Sequence, residues 1–436
     1  METKLNLISK IAEQDQKCQF SNLVHLLNEA NLRECFYKLE KDKASGVDEV
    51  TFSEYEENLT DNLADLVRRM KKFSYHPQPV LRVYVPKSNN KLRPLGIPAL
   101  EDKIVQMGIA RILEAIYEND FMDFSYGFRP GRSCHQALNS LDKMIMENPV
   151  NHVIDADIKG FFDNVDHDWM VHCLEQRISD KALIRYIVRF LKSGIMEEGK
   201  WFDSDQGTPQ GGIISPILAN IYLHYVLDLW IEECVRPRSR GYVGITRYAD
   251  DFIICVQYKE EANQILSSLH NRLSKFGLTL SSEKTRIIEY GPYAKVNAKR
   301  RGKRPESFSF LGITHFCDKT RKGRFKVGRR TENKKLRAKL VEINQWLKSI
   351  RNKVPLREWW PTLCSKLRGH FQYYGVSGNF DRIKQYRYQV IKLAYKWINR
   401  RSQKKSFNWR TFNEYMKRFP LPKAKIYHNL YTLQSY

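Results

Sequence analysis

Two adjacent carboxylates stand in the stretch Arg247-Tyr248-Ala249-Asp250-Asp251-Phe252-Ile253-Ile254-Cys255-Val256. Like charges at one point repel each other unless a cation sits on them. A bare Asp-Asp pair is ordinarily a solvated turn. Here Gly, Val and Thr precede it in residues 241–246 and β-forming residues follow it, so the segment reads as strand, tight turn, strand. Side chains alternate along a strand, so one carboxylate faces a site and its neighbour reaches in from beside it. A third carboxylate, Asp157, lies within Val153-Ile154-Asp155-Ala156-Asp157-Ile158-Lys159-Gly160-Phe161-Phe162. This run is expected to be a strand over 153–162, with Asp155 and Asp157 on one face and Gly160 bending the chain. Asp166 and Asp168 fit ordinary caps of a helix starting near His167. Asp157 does not, because an unpaired carboxylate inside an apolar strand is costly. One strand-borne Asp, then an Asp pair about ninety residues later, is the arrangement that two-metal nucleotidyl transfer requires: two Mg²⁺ ions roughly 3.5–4 Å apart, held by carboxylates from different strands. The inferred ligands are all oxygen, which suits Mg²⁺ and admits Mn²⁺ as a substitute.

Two loops could serve such a site. Lys87-Ser88-Asn89-Asn90-Lys91-Leu92-Arg93-Pro94-Leu95-Gly96-Ile97-Pro98 reads as a polar hairpin loop with basic residues on both arms. Alone it reads better as a solvated basic turn; over a triphosphate, Arg would act as a fork and Lys as a point charge. Gln206-Gly207-Thr208-Pro209-Gln210-Gly211-Gly212 is punctuated by glycines that let backbone approach a ligand, with Gln210 as a planar donor and acceptor.

The elements that must position these residues follow from periodicity. Apolar residues at three- and four-residue spacing predict helix through residues 1–40, then over 53–73, 101–117, 134–146, 217–234 and 260–276. Strands are expected at 80–86, 278–280 and 308–313. Ser125-Tyr126-Gly127-Phe128-Arg129-Pro130-Gly131-Arg132-Ser133 reads as a loop. Thr331 is placed to cap a helix, and two more fit 356–374 (closed by Gly375) and 380–400, a small basic helical bundle.

The formal charge of +24 is unevenly placed. From Lys295 to Tyr436 there are 37 Lys and Arg against 7 Asp and Glu, whereas the preceding residues carry 36 against 42. A polyanion partner for the C-terminal third is implied, because solubility does not need a net +30 there. Aromatics such as Phe308, Phe310, Phe316 and Phe325 are interleaved with the bases, as suits nucleic-acid contact. The eight cysteines form no CxxC pair, which argues against a zinc ribbon and for reduced intracellular thiols. No secretory signal or stretch long enough for a membrane span is present, so a cytoplasmic location without membrane attachment is expected.

Six motifs in order, Lys91 to Pro98, Ser125 to Ser133, Asp157 to Asp163, Gly207 to Gly212, Tyr248 to Asp251 and Phe310-Leu311-Gly312, resemble those of a group II intron-encoded reverse transcriptase/maturase, and the likeness covers nearly the whole chain. It implies an α+β right-hand polymerase: an N-terminal extension and the start of the fingers over 1–78, fingers and palm with an antiparallel sheet over 79–315, and a helical basic thumb/maturase domain (domain X) over 316–436. Asp157, Asp250 and Asp251 match the metal-binding triad, and Ile158 would add a backbone carbonyl. Lys87 and Arg93 match finger residues on the incoming triphosphate, Phe162 the aromatic that favours dNTPs over ribonucleotides, Gln210 a residue near the nucleotide, and Lys284 a lysine that assists pyrophosphate departure. Phe310, Leu311 and Gly312 resemble the primer grip. Leu367-Arg368-Gly369-His370-Phe371-Gln372-Tyr373-Tyr374-Gly375 is similar to the most recognisable segment of domain X. The implied partners are an RNA template, a DNA or RNA primer, dNTPs and the intron RNA, whose splicing the protein would assist. With no Cys pairs and an end at Tyr436, the chain resembles the compact lineage without an endonuclease, expected to support retrohoming from primers found elsewhere.

Two other readings accommodate part of this pattern. One is an RNA-binding splicing cofactor without polymerase activity, against which the intact Asp triad, Gln210 and Arg93 argue. The other is a host-adopted reverse transcriptase in DNA repair or defence, whose polymerase chemistry would be the same; intron RNA around the coding sequence would separate them.

Overall fold

The computed structural model describes residues 2–86, 92–197, 200–202, 206–207, 211–401 and 406–431, without the side chains of Pro86 and Arg93. Its chain divides into two compact units, Met1–Ala137 with Ile154–Ile287, and Leu138–Val153 with Ile288–Tyr436. These boundaries differ from those drawn at 78 and 315 on the sequence.

The first unit begins with helices α1 (Glu2–Gln14), α2 (Glu29–Lys38), α3 (Phe52–Glu57) and α4 (Leu59–Lys71). The single helical run expected over 1–40 is thus broken. Phe20, Leu23 and Leu27 are buried, but from a connecting segment with one 3₁₀ turn. Burial fixed their apolar character without fixing a helix. Strands β1 (Val80–Pro86) and β2 (Leu92–Ile97) form an antiparallel hairpin pairing Val85 with Arg93. Helix α5 (Leu100–Tyr117) follows, with Ile104, Val105, Ile109, Ile112, Leu113 and Ile116 all at 0 % exposure. A helix so widely apolar has to run through the core. Helix α6 (Cys134–Glu147) and strand β3 (His152–Asp157) carry the chain between units. β3 ends at Asp157, earlier than expected, because Gly160 turns the chain with φ +55° into a 3₁₀ turn at Phe161–Asp163. Asp166 caps α7 (His167–Glu175), accepting from the Trp169 amide at 2.9 Å. Helix α8 (Lys181–Leu191) and short strands β4 (Ile195–Glu197) and β5 (Lys200–Phe202) complete a sheet ordered β2-β1-β4-β5.

The expected helix over 217–234 starts as α9 (Ser215–Leu223) and then widens into two π-helical stretches, His224–Asp228 and Trp230–Val235. Strands β6 (Val243–Tyr248) and β7 (Asp251–Val256), helix α10 (Lys259–Lys275) and strand β8 (Arg286–Glu289) follow. The central sheet has the order β6-β7-β3-β8. No strand forms over 278–280; Leu280 makes one isolated bridge to Ile158. One continuous hydrophobic core runs through this unit from Leu5 to Leu280.

In the second unit, α11 (Ala294–Arg300) precedes a three-stranded antiparallel sheet of β9 (Ser307–Phe310), β10 (Ile313–Lys319) and β11 (Phe325–Thr331). Phe308, Phe310, Phe316 and Phe325, with Lys319, Lys326, Arg329 and Arg330, therefore lie in sheet. Thr331 ends β11 and the helix cap is Glu332. Helices α12 (Asn333–Ile350), α13 (Leu356–Tyr374), α14 (Phe380–Ile398) and α15 (Trp409–Arg418) complete the unit. Among the described residues no helix is long and apolar enough to cross a membrane.

Candidate active site

β6 and β7 pair Tyr248 with Asp251, so Ala249 and Asp250 form a two-residue hairpin loop. Ala249 has φ +56°, in the left-handed region that costs a residue with a side chain roughly 1–2 kcal/mol. Such loops usually place Gly at this point. A buried polar scaffold imposes the conformation here. Arg247, at 0 % exposure, donates from Nη1 to the Ala249 carbonyl at 3.1 Å and to Asn220 Oδ1 at 3.0 Å. Its Nε donates to Asp228 Oδ1 at 2.8 Å, and its Nη2 to the other Asp228 oxygen. Asp228 is also fully buried, so the two charges depend on each other. Asn220 in turn donates to the Gly127 carbonyl at 2.7 Å.

The Tyr126-Gly127-Phe128 segment supplies the other half of the mould. Arg247 donates its amide to the Phe124 carbonyl and accepts at its own carbonyl from the Tyr126 amide, each at 2.9 Å. A Cβ on Gly127 would lie 2.3 Å from the Ala249 nitrogen, so only glycine permits this approach. Arg129, 6 % exposed, pins the loop by donating to the Met122 and Ser125 carbonyls at 2.7 and 2.8 Å.

Asp157 ends β3 beside β7, whose first residue is Asp251. Its Oδ2 accepts from Lys284 Nζ at 2.7 Å, and its carbonyl from the Ser281 amide at 2.8 Å. Asp155 is pushed up to about 6 by burial, against the opposing pull of Arg286, which lies 3.6 Å away. Among the described residues, no three His, Cys, Asp or Glu side chains are grouped closely enough to hold a metal ion. The expected triad is thus brought to neighbouring strands but not gathered into a ready cluster, and an ammonium group occupies Asp157. The donor chemistry, carboxylate oxygen without thiol or imidazole, still fits a hard divalent cation.

Phe162 is 9 % exposed and meets Phe161 edge-on, with ring centroids 5.3 Å apart. Close by in the chain fold, the Gly207 amide donates to the Val165 carbonyl at 2.8 Å. Gly211 has φ +119°, and a Cβ there would lie 2.4 Å from the Gly96 carbonyl oxygen. Buried Gln106 fixes the end of this loop by accepting from the Ile213 amide at 2.8 Å. The glycine-rich loop therefore joins the Phe162 turn to strand β2, which carries Arg93. Lys87 and Gln210 lie outside the described residues, as does the Arg93 side chain. Phe310, Leu311 and Gly312 form the β9–β10 turn of the second unit, with φ +51° at Leu311 and +74° at Gly312. Tyr373 donates its hydroxyl to the Leu311 carbonyl at 3.1 Å. The scaffold of Asp228, Asn220 and Arg247 escaped sequence reasoning. The available signal was an Asp on the apolar side of a helix, in register with Ile221 and Tyr225.

A strand-borne Asp beside an Asp-Asp hairpin in an α+β unit is consistent with the right-hand polymerase fold expected from the sequence. A family model described as Reverse transcriptase (RNA-dependent DNA polymerase) matches residues 85–315. Over 420 residues the chain is 30 % identical to group II intron-encoded protein LtrA of Lactococcus lactis subsp. cremoris, covering 78 % of this chain and 67 % of that protein. It is 33 % identical over 312 residues to protein YkfC of Escherichia coli, covering 65 % and 78 %, and 30 % identical over 400 residues to an uncharacterized 91 kDa protein in the cob intron of Schizosaccharomyces pombe, covering 76 % and 48 %. The chain belongs to the group II intron reverse transcriptase/maturase family.

Proposed function

We infer that this protein copies RNA into DNA at the Asp157–Asp250–Asp251 site, using dNTPs, a DNA or RNA primer and an RNA template that includes its intron RNA. RNA-directed DNA polymerase activity and intron splicing assistance are the activities its family membership supports. The observation that carries the site assignment is the buried Arg247–Asp228–Asn220 scaffold, which holds a strained turn so as to present Asp250 and Asp251 next to the strand ending at Asp157.

In this reading residues 79–315 are fingers and palm, after an N-terminal extension and the start of the fingers over 1–78, and 316–436 are thumb and maturase domain. Asp157, Asp250, Asp251 and the Ile158 carbonyl hold the metal. Two Mg²⁺ ions bound there supply activation of the primer hydroxyl and stabilisation of the departing pyrophosphate. The chain's own work is positioning and charge neutralisation. Lys87 and Arg93 receive the triphosphate, Gln210 lies beside the nucleotide, and Phe162 fills the space an extra ribose hydroxyl would need. Lys284, released from Asp157, is a cation and proton donor available to pyrophosphate. Phe310, Leu311 and Gly312 hold the primer.

The test is primer extension on poly(rA)/oligo(dT) with dTTP and Mg²⁺, wild type against Asp250→Asn/Asp251→Asn. Long products from wild type and none from the variant are expected. A wild type that makes no DNA yet binds structured RNA tightly refutes the polymerase assignment and leaves the splicing-cofactor role.

A further inference from the structure

Helices α12, α13 and α14 of the second unit line an open cleft of about 420 Å³, within the roughly 300–1,000 Å³ usual for small-ligand sites. Lys339, Lys366, Gly369, His370, Tyr373 and Tyr386 all contribute to its wall. Glu342 also lines it and pairs with Lys339 at 2.8 Å, so the wall keeps a net positive charge. His370 stacks on Tyr386 with ring centroids 3.6 Å apart and planes 18° apart. Burial lowers the His370 pKa to about 3, so the ring is neutral. Neither of its nitrogens has a hydrogen-bond partner among the described residues. Tyr373, 38 % exposed, is the accessible ring, fixed by its hydroxyl bond to Leu311.

Gly369 is the informative residue. It lies inside α13, five positions before the last residue, Tyr374, where glycine weakens a helix relative to alanine. Packing does not demand it, since a Cβ there would meet no atom within 4 Å. Its φ lies outside the left-handed region as well. What the missing side chain leaves is open room beside the backbone, in a wall of aromatic rings and cations.

We propose that this cleft binds one unpaired nucleotide of an RNA strand: the base stacks in the aromatic wall, the phosphate lies between Lys339 and Lys366, and the sugar or base edge rests on Gly369. A planar anionic ligand suits rings flanked by cations. An RNA strand, and not a free nucleotide, suits the 37 basic against 7 acidic residues from Lys295 onward. A base enters such a cleft only when unstacked, so single-stranded RNA or a bulge is the target and duplex is not. The inference rests on the reading of this unit as RNA-binding and specifies where, and in what form, RNA is held.

The test compares the full-length wild type with Gly369→Ala and Gly369→Val for binding of a short single-stranded RNA and of a duplex of equal length. Thiouridine in the single strand allows photo-crosslinks to be mapped. Gly369→Val should weaken single-strand binding about five- to tenfold, the loss of one stacked base, with duplex affinity unchanged. Gly369→Ala should weaken it less while raising the melting temperature, whereas replacing a purely structural glycine would lower both. Crosslinks should fall on the peptides bearing Tyr373 or Tyr386. Wild-type-like single-strand affinity in both variants overturns the inference, as do crosslinks confined to other elements, or equal labelling of the cleft by free thiouridine monophosphate. A wild type that binds neither RNA overturns it together with the RNA-binding reading. Ordinary RNA binding that ignores residue 369 overturns this inference alone.

Discussion

Replacing Asp228 by Ala removes the carboxylate paired with Arg247 inside the core. Both side chains are at 0 % exposure, so the guanidinium would lose its Nε and Nη2 acceptors with no water to replace them, keeping Asn220 and the Ala249 carbonyl among the described residues. Breaking a buried pair by removing one partner costs about 3–5 kcal/mol. At roughly 2–4 °C per kcal/mol for a unit of this size, the melting transition should fall by about 6–20 °C. Scanning calorimetry on the full chain measures this, with Asp228→Asn expected to fall between. Activity separates stability from positioning. An Arg247→Met/Asp228→Leu variant replaces the pair by packed apolar groups, which should restore most of the melting temperature. It still lacks the donor that holds the Ala249 carbonyl, and an ångström of misplacement costs on the order of a hundredfold in rate. Primer extension below the variant's melting point should therefore stay about a hundredfold slow. The reasoning fails if Asp228→Ala melts within about 2 °C of wild type, or if the apolar pair restores rate together with stability.

Gly127→Ala should lower both melting temperature and extension rate, since the new Cβ meets the Ala249 nitrogen at 2.3 Å; a neutral result in a melting scan and a single-turnover assay would show that the turn yields. Lys284→Ala removes an exposed contact to Asp157, with side chains 66 % and 43 % exposed. Its stability effect should stay below about 1 kcal/mol, while the Mg²⁺ concentration giving half-maximal extension falls as a competing cation leaves. Asp102 is buried and its carboxyl is raised to about 7 by desolvation, with the Tyr75 hydroxyl and Gln78 amide opposing. The native state therefore keeps a proton that the unfolded chain releases from about pH 4. Stability from this group falls as pH rises from about 4 to 7, by up to about 4 kcal/mol. Denaturant melts should show Asp102→Asn gaining on wild type across that window, and a constant difference would exclude the assignment.

Local chemistry made parts of the molecule legible. The helix Leu356–Tyr374 falls where apolar spacing and Gly375 place it, and the Asp-Asp hairpin forms where Gly, Val and Thr meet Phe252 to Val256. Long-range pairing hid the rest. Asp228 looks like a misplaced charge on an apolar helix until Arg247, nineteen residues on, is seen against it. β11 carries Arg329 inward at 1 % exposure, so a cation breaks the apolar alternation that would mark the strand. β8 has only four residues, too few for a periodic signal. The carboxylates were found by type and spacing, whereas the lysine paired with Asp157 is a property of the folded turn at 281–285 that periodicity cannot reveal.

The interleaving of the two units sets an order of assembly. Residues 138–153 leave the ribosome early but belong with chain that begins at Ile288. Asp142, 3 % exposed, finds its partner Arg329 only after 187 more residues have been made. At about 5–20 residues per second that is a wait of roughly 10–40 s. During that interval Leu138, Leu141, Met144 and Ile145, all buried in the finished protein, have no native cover. Severing the gene at the junction before Ile288 would strand α6 permanently, so the two units cannot be traded between relatives as simple end-to-end cassettes.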